Sequence, residues 1–129
     1  MPATVTIHPD EEARGTETIT DAERVQTLMD LLTDADCRAM LAATTDEALT
    51  VRELAADVDL ALSTTYRKVD RLTDAGILVE QTRFDAEGSH PSQYRRVVDD
   101  VVVSLTPDDG TTLTVTGRST EEFPLASRR

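Results

Sequence analysis

Lysine is nearly missing from this chain: Lys68 is the single one among 129 residues. Tryptophan is absent, there are two Phe and two Tyr, and Cys37 is the one cysteine. Each shortage excludes something. One thiol allows neither an internal disulfide framework nor a thiolate metal cluster within one chain. So few aromatics leave the core of one modest domain to Leu, Val, Ile, Met and Ala. No run approaches the roughly 18 to 20 apolar residues of a membrane span. The opening MPATVTIHPDEEARG lacks the basic-then-apolar pattern of a secretion signal. A cytoplasmic protein without membrane contact is therefore expected. Glycine-rich phosphate loops and the HExxH and GxSxG motifs are missing, and His8 and His90 stand far apart. The residues predict no enzyme, no cofactor and no metal. His90 beside Asp85 and Glu87 is the one conceivable metal cluster, and a solvent-exposed or phosphate-touching His is the simpler reading.

What the chain has in excess is carboxylate. Asp and Glu number 25 against 13 Lys and Arg, for a net charge of −12. The excess is uneven. Residues 1–60 hold four Arg and 14 acids; residues 61–96 hold six cations and five acids; residues 97–129 hold three Arg and six acids. The middle segment alone escapes the acidity, and it carries the most informative pattern.

That segment begins with TVRELAADVDLALSTTYRKVDRLTDAG, two short helices joined by a tight turn. Thr50 with Glu53 three residues on fits a capping box. Val51, Leu54, Ala55 and Val58 give the first helix an apolar face. The second helix, about 61–75, starts between Ala61 and Ser63, buries Thr65, Val69 and Leu72 with Leu62 near its start, and ends at Gly76, a C-terminal cap. Its outer face is left with Ser63, Thr64, Tyr66, Arg67, Lys68 and Arg71. ILVEQTRF, DAEGSHP and SQYRRVV then read as strand, polar turn and strand, a wing over about 77–98. Hydroxyls suit phosphates or base edges, Arg67 suits guanine, and Tyr66 suits a thymine methyl or a phosphate; Lys68 and Arg71 suit phosphates. The alternative for the same face is a solvated amphipathic helix.

The flanks are plainer. Residues 1–20 mix Thr, Glu, Asp and Pro without period and are expected to be a disordered tail. Asp21 caps a helix to Leu32 with Val25, Leu28, Met29 and Leu32 as its stripe. Thr33 or Asp34 opens another helix to about Ala43, burying Cys37, Met40 and Leu41. Leu49 to Val51 can add a short strand. Val101–Leu105 and Thr112–Thr116, around the Pro107-Asp108-Asp109-Gly110 turn, predict an extra hairpin over 99–116, and 117–129 reads as a flexible tail. The expected fold is α+β: a winged helix-turn-helix of three to four helices plus a β-hairpin wing over 21–98, with that hairpin appended.

From about Leu28 to Val98 the sequence resembles the winged helix-turn-helix transcriptional regulators of the arsenic-repressor-like and multiple-antibiotic-resistance-like superfamily, and among them the haloarchaeal members. LLTDADCRAMLAAT, LTVRELAADVDLALSTTYRKVDRLTDAGIL and the wing ending in QYRR carry the likeness. The resemblance implies that the helix around Ser63 to Arg71 enters the DNA major groove and that Arg83, Ser89, His90, Arg95 and Arg96 serve the wing on the adjacent minor groove or backbone. The Cys-x-Cys run of the metal-sensing members is absent, so metal sensing is not implied. An acidic, lysine-poor surface rich in Asp and Thr is similar to proteins of salt-loving archaea. The expected function is sequence-specific regulation of transcription on double-stranded DNA, as a homodimer formed through the 21–32 helix or the 101–116 hairpin. The alternative is a winged-helix adaptor that binds proteins within a transcription complex without touching DNA. A positive stripe along Arg67, Arg71, Arg95 and Arg96 would favour DNA, and an apolar patch there would favour protein.

Overall fold

The computed structural model describes residues 14–108 and 110–118. Their order is β1 (Arg14–Ile19), α1 (Ala22–Leu32), α2 (Ala35–Ala43), β2 (Leu49–Thr50), α3 (Val51–Val58), α4 (Leu62–Asp74), β3 (Leu78–Thr82), β4 (Ser92–Arg96), β5 (Val98–Thr106) and β6 (Gly110–Arg118). The strands form two antiparallel sheets, β2-β4-β3 and β1-β6-β5. The fold is an α+β winged helix-turn-helix with a second sheet added to it.

Local sequence explains the helix ends. Asp21 caps α1 by accepting the Arg24 N–H at 2.9 Å. Asp34 caps α2 by accepting the Asp36 N–H at 3.1 Å. At α3 the capping box is complete: the Glu53 N–H reaches Thr50 Oγ1 at 3.2 Å and the Thr50 N–H reaches Glu53 Oε1 at 2.9 Å. Helix α3 stops at Asp59, which sits in the left-handed region at φ 59°. Helix α4 closes with the two reversed bonds expected around a left-handed glycine, Gly76 N–H to Thr73 O at 3.0 Å and Ile77 N–H to Leu72 O at 2.9 Å, with Gly76 at φ 82°.

The core collects the apolar stripe of every helix. Val51, Leu54 and Ala55 of α3 and Thr65, Val69 and Leu72 of α4 are buried, as their spacing predicts. Cys37, Met40 and Leu41 are buried in α2. In α1 the third buried residue is Leu31, not Leu32, which is only half-buried with Met29. Ile77, Leu78, Val79 and Tyr94 bring the wing sheet onto this core, and Ile19, Leu113 and Val115 bring the second sheet. Thr112 of β6 is buried as well.

Two boundaries differ from the sequence reading. Residues 14–19, placed in a disordered tail, form β1, paired with β6 from Arg14 opposite Arg118 to Ile19 opposite Leu113. The hairpin also runs further than 99–116, since β6 continues through Gly117 and Arg118. The remainder of the two expected tails, residues 1–13 and 119–129, lies outside the described residues. The wing sheet passes into the second sheet at Val97, whose N–H bonds Ile77 O at 3.0 Å. Gly117 lies against this junction: a Cβ there would come within 2.1 Å of Val97 O. The close approach of β6 to the junction therefore requires glycine.

Candidate nucleic-acid interface

The outer face of α4 has the predicted members. Ser63, Arg67 and Arg71 are exposed, Thr64 is half-buried, and Tyr66 is 50% exposed. Neither Arg67 nor Arg71 forms an ion pair among the described residues. The start of α4 differs from the other three helices. Helices α1, α2 and α3 each have a side-chain N-cap and an acid in the first turn; α4 has Ala61 at the cap, no side-chain cap bond and no acid in its first turn. Its first N–H groups keep their hydrogen-bonding capacity and the positive end of the helix dipole is not neutralised, the condition under which a helix N-terminus receives phosphate. Sequence reading overlooked this. The signal was there in Ala61, the one helix start among the described residues without Ser, Thr, Asp or Asn.

Lys68 is arranged differently from its neighbours. Its side chain is 13% exposed and its ammonium is bonded to the Asp34 carboxylate, with Asp36 Oδ2 at 3.4 Å. The lysine thereby ties α4 to the N-terminus of α2. The contact holds the Asp34 carboxyl below its usual range, with the Lys68 ammonium as the main cause. Asp34 Oδ2 also accepts from Cys37 Sγ at 3.4 Å. Burial, followed by this carboxylate, pushes the Cys37 thiol up to about 11.

Arg83 is likewise engaged within the protein. Its Nη1 and Nη2 donate to Glu53 Oε2 and Oε1 at 2.9 and 2.8 Å, and its Nε donates to Gln93 Oε1 at 2.8 Å. Its Nη2 also lies 3.4 Å from Ala48 O. One guanidinium thus clamps both strands of the wing to the capping box of α3. The Glu53 carboxyl is held down to about 2, first by Arg83 and then by the Thr50 N–H. Glu47, Leu49, Glu53, Ala56, Asp57 and Arg83 line an open groove of about 460 Å³ beside this clamp.

Beyond the clamp the wing runs into an exposed turn. Gly88 takes φ 93°, and Ser89 and His90 are exposed. The His90 ring meets Phe84 edge to face at 5.3 Å, and its Nδ1 faces the Asp85 N–H at 3.4 Å. Arg95 and Arg96 lie half-buried on β4, opposite Val79 and Leu78 of β3. Tyr94 on the same strand is buried, its hydroxyl pushed up by burial and then by Glu80, Asp70 and Tyr66. Asp70 of α4 and Glu80 of β3 are both exposed, and the charge of each acts on the Tyr94 hydroxyl. Among the described residues no three His, Cys, Asp or Glu side chains gather as a metal site requires. No helix among them is long and apolar enough to cross a membrane.

This arrangement is that of a winged helix-turn-helix protein, and comparison with known families agrees. Residues 32–81, from the end of α1 into β3, match the family described as helix-turn-helix domain. No curated protein sequence matches the chain. Among solved structures it is similar to NolR from Sinorhizobium fredii, with 18% identity and a TM-score of 0.49 over 72% of this chain and 81% of that one. It is also similar to a possible transcriptional regulator from Methanosarcina mazei Go1, with 22% identity and a TM-score of 0.46 over 58% of this chain and 63% of that one. A third is HlyU from Vibrio cholerae, with 20% identity and a TM-score of 0.46 over 59% of this chain and 77% of that one.

Proposed function

We propose that this chain is a sequence-specific DNA-binding regulator of transcription that lays α4 in the major groove and sets its wing on the backbone or minor groove beside it. The observation that carries the reading is the outer face of α4: an uncapped, acid-free N-terminus followed by Ser63, Thr64, Tyr66, Arg67 and Arg71, with the cationic pair unmatched by described carboxylates. Ser63, Thr64, Tyr66 and Arg67 are assigned to bases. Arg71, Arg95 and Arg96 are assigned to phosphates, with Ser89 and His90 at the wing turn. Lys68 and Arg83 act at one remove, holding helix and wing in place through Asp34, Asp36 and Glu53.

The regulator acts as a two-fold dimer in this reading, matching two half-sites, and is of the arsenic-repressor-like or multiple-antibiotic-resistance-like type. Its acidity and near-absence of lysine support a cytoplasm of high salt, as in haloarchaea. The adaptor reading is favoured less. Among the described residues, the large exposed apolar side chains apart from Tyr66 are Phe84, Val102, Val103 and Leu105, none of them on α4. Binding of a genomic fragment pool tests the proposal. Selective retention of a few fragments supports it, and a folded protein that retains none at any salt sinks it.

A further inference from the structure

Strand β5 is an edge. The second sheet runs β1-β6-β5, so β6 occupies one side of β5 and no described strand occupies the other. Natural sheets protect such edges with Lys, Pro, inward charges or bulges. From Val101 to Thr106 this strand has no charge and no Pro; its irregularity lies at the far end, between Val98 and Asp100. Val102, Val103 and Leu105 are 56%, 46% and 80% exposed. Val101 and Val103 stand opposite the core residues Val115 and Leu113, so they share the core-facing side of the sheet, and Leu105 continues that row beyond the body. In a chain with 25 acids, the five uncharged residues from Val101 to Leu105 on an open edge are an exception that asks for a partner.

We propose that this edge is the dimer interface: β5 of one copy pairs antiparallel with β5 of a second copy about a two-fold axis through Val103, joining the two sheets into one of six strands. The choice of a second copy rests on the proposed two-fold DNA reading; the choice of strand and register rests on charge. A two-fold axis normal to the sheet keeps each side chain on its own face, so each residue must oppose one of the same parity. An axis at Ser104 sets Asp100 against Asp108, like charges opposed. An axis at Val102 sets Leu105 against Asp99. With the axis at Val103, Val101 meets Leu105, Val102 meets Ser104 and no acid meets an acid. The two overhanging apolar rows become one.

The test needs no DNA, so its failure is separable from failure of the DNA reading. Sedimentation of the full chain in about molar potassium chloride, where the Debye length is roughly 3 Å and self-repulsion is screened, is expected to show a dimer. Val103→Lys places a charge on an exposed position of the edge and should weaken association about tenfold or more with the circular dichroism spectrum unchanged. Phe84→Lys, at a more exposed position on the wing, should associate like the wild type. In a Cys37→Ser background, Val103→Cys should cross-link under mild oxidation, because residues opposed on an antiparallel pair have Cα atoms about 4.5 to 5.5 Å apart, within disulfide reach. Val101→Cys alone should not, whereas mixed with Leu105→Cys it should. A wild type that stays monomeric across the accessible concentrations overturns the proposal. So does a dimer indifferent to Val103→Lys that also yields no Val103→Cys cross-link.

Discussion

Lys68 and Arg67 are neighbours on one helix and face different tasks. Arg67 is exposed, while Lys68 is folded back onto Asp34 and Asp36. Arg67→Ala is expected to cost about 1 to 3 kcal/mol of specific binding and to relax the preference at one base pair. Lys68→Ala is expected instead to lower fold stability, by about 1 kcal/mol for its partly exposed pairing with Asp34 and Asp36, with sequence preference retained; equilibrium denaturation beside binding curves separates the two. Arg83 and Glu53 make a pH prediction. The folded Glu53 carboxyl sits at about 2 instead of 4.5, so its contribution to stability is present above about pH 4.5 and is lost as pH falls towards 2. Arg83→Met should move the Glu53 titration, followed by carbon NMR, back up towards 4.5; an unmoved titration would show that the clamp is not what depresses it. Cys37, fully buried and pushed up to about 11, should resist alkylation in the native protein and react once denaturant opens the core. The burial of Cys37 was legible in the helical period. The partner of Lys68 was not, because period and spacing describe one helix, and Asp34 lies on another, 34 residues away in sequence.

At the level of elements, what was legible is what short-range chemistry decides. The capping box at Thr50, the glycine stop at Gly76 and the stripes of α3 and α4 all depend on residues within a few positions of one another. Removing them should have local, moderate effects: Thr50→Ala is expected to cost about 1 kcal/mol, read from thermal or denaturant unfolding. Strand β1 was not legible. Its RGTETI carries one large apolar residue, Ile19, and its extended form comes from pairing with β6, about a hundred residues later. The wing clamp escaped notice for the same reason, since Arg83 lies 30 residues from Glu53. The outer face of α4 could be named residue by residue, but which cations were exposed on it depended on what α2 offered. Gly117→Ala tests the junction of the two sheets. A Cβ 2.1 Å from a backbone oxygen cannot be accommodated without separating β6 from Val97, so a loss near the upper end of the roughly 1 to 3 kcal/mol typical of overpacking is expected.

Over the whole molecule, the proposed reading requires an acidic protein to meet a polyanion through a small neutralised window. Lys68 and Arg83 are paired internally, so the proposed DNA reading has Arg71, Arg95 and Arg96 for phosphates and Arg67 for a base. Few phosphate contacts imply shallow salt dependence: with three per protomer, the slope of log K against log salt should be about −3 per protomer. An interface of so few phosphate contacts would depend on direct contacts and shape more than on long-range attraction. The most direct test of the central claim is fluorescence anisotropy of a genomic fragment pool in about molar potassium chloride, for the wild type and Arg67→Ala. The wild type is expected to select a few fragments, and Arg67→Ala to lose the selection while remaining folded. A folded wild type that binds no fragment at any salt, or an Arg67→Ala variant that selects the same fragments equally well, would contradict it.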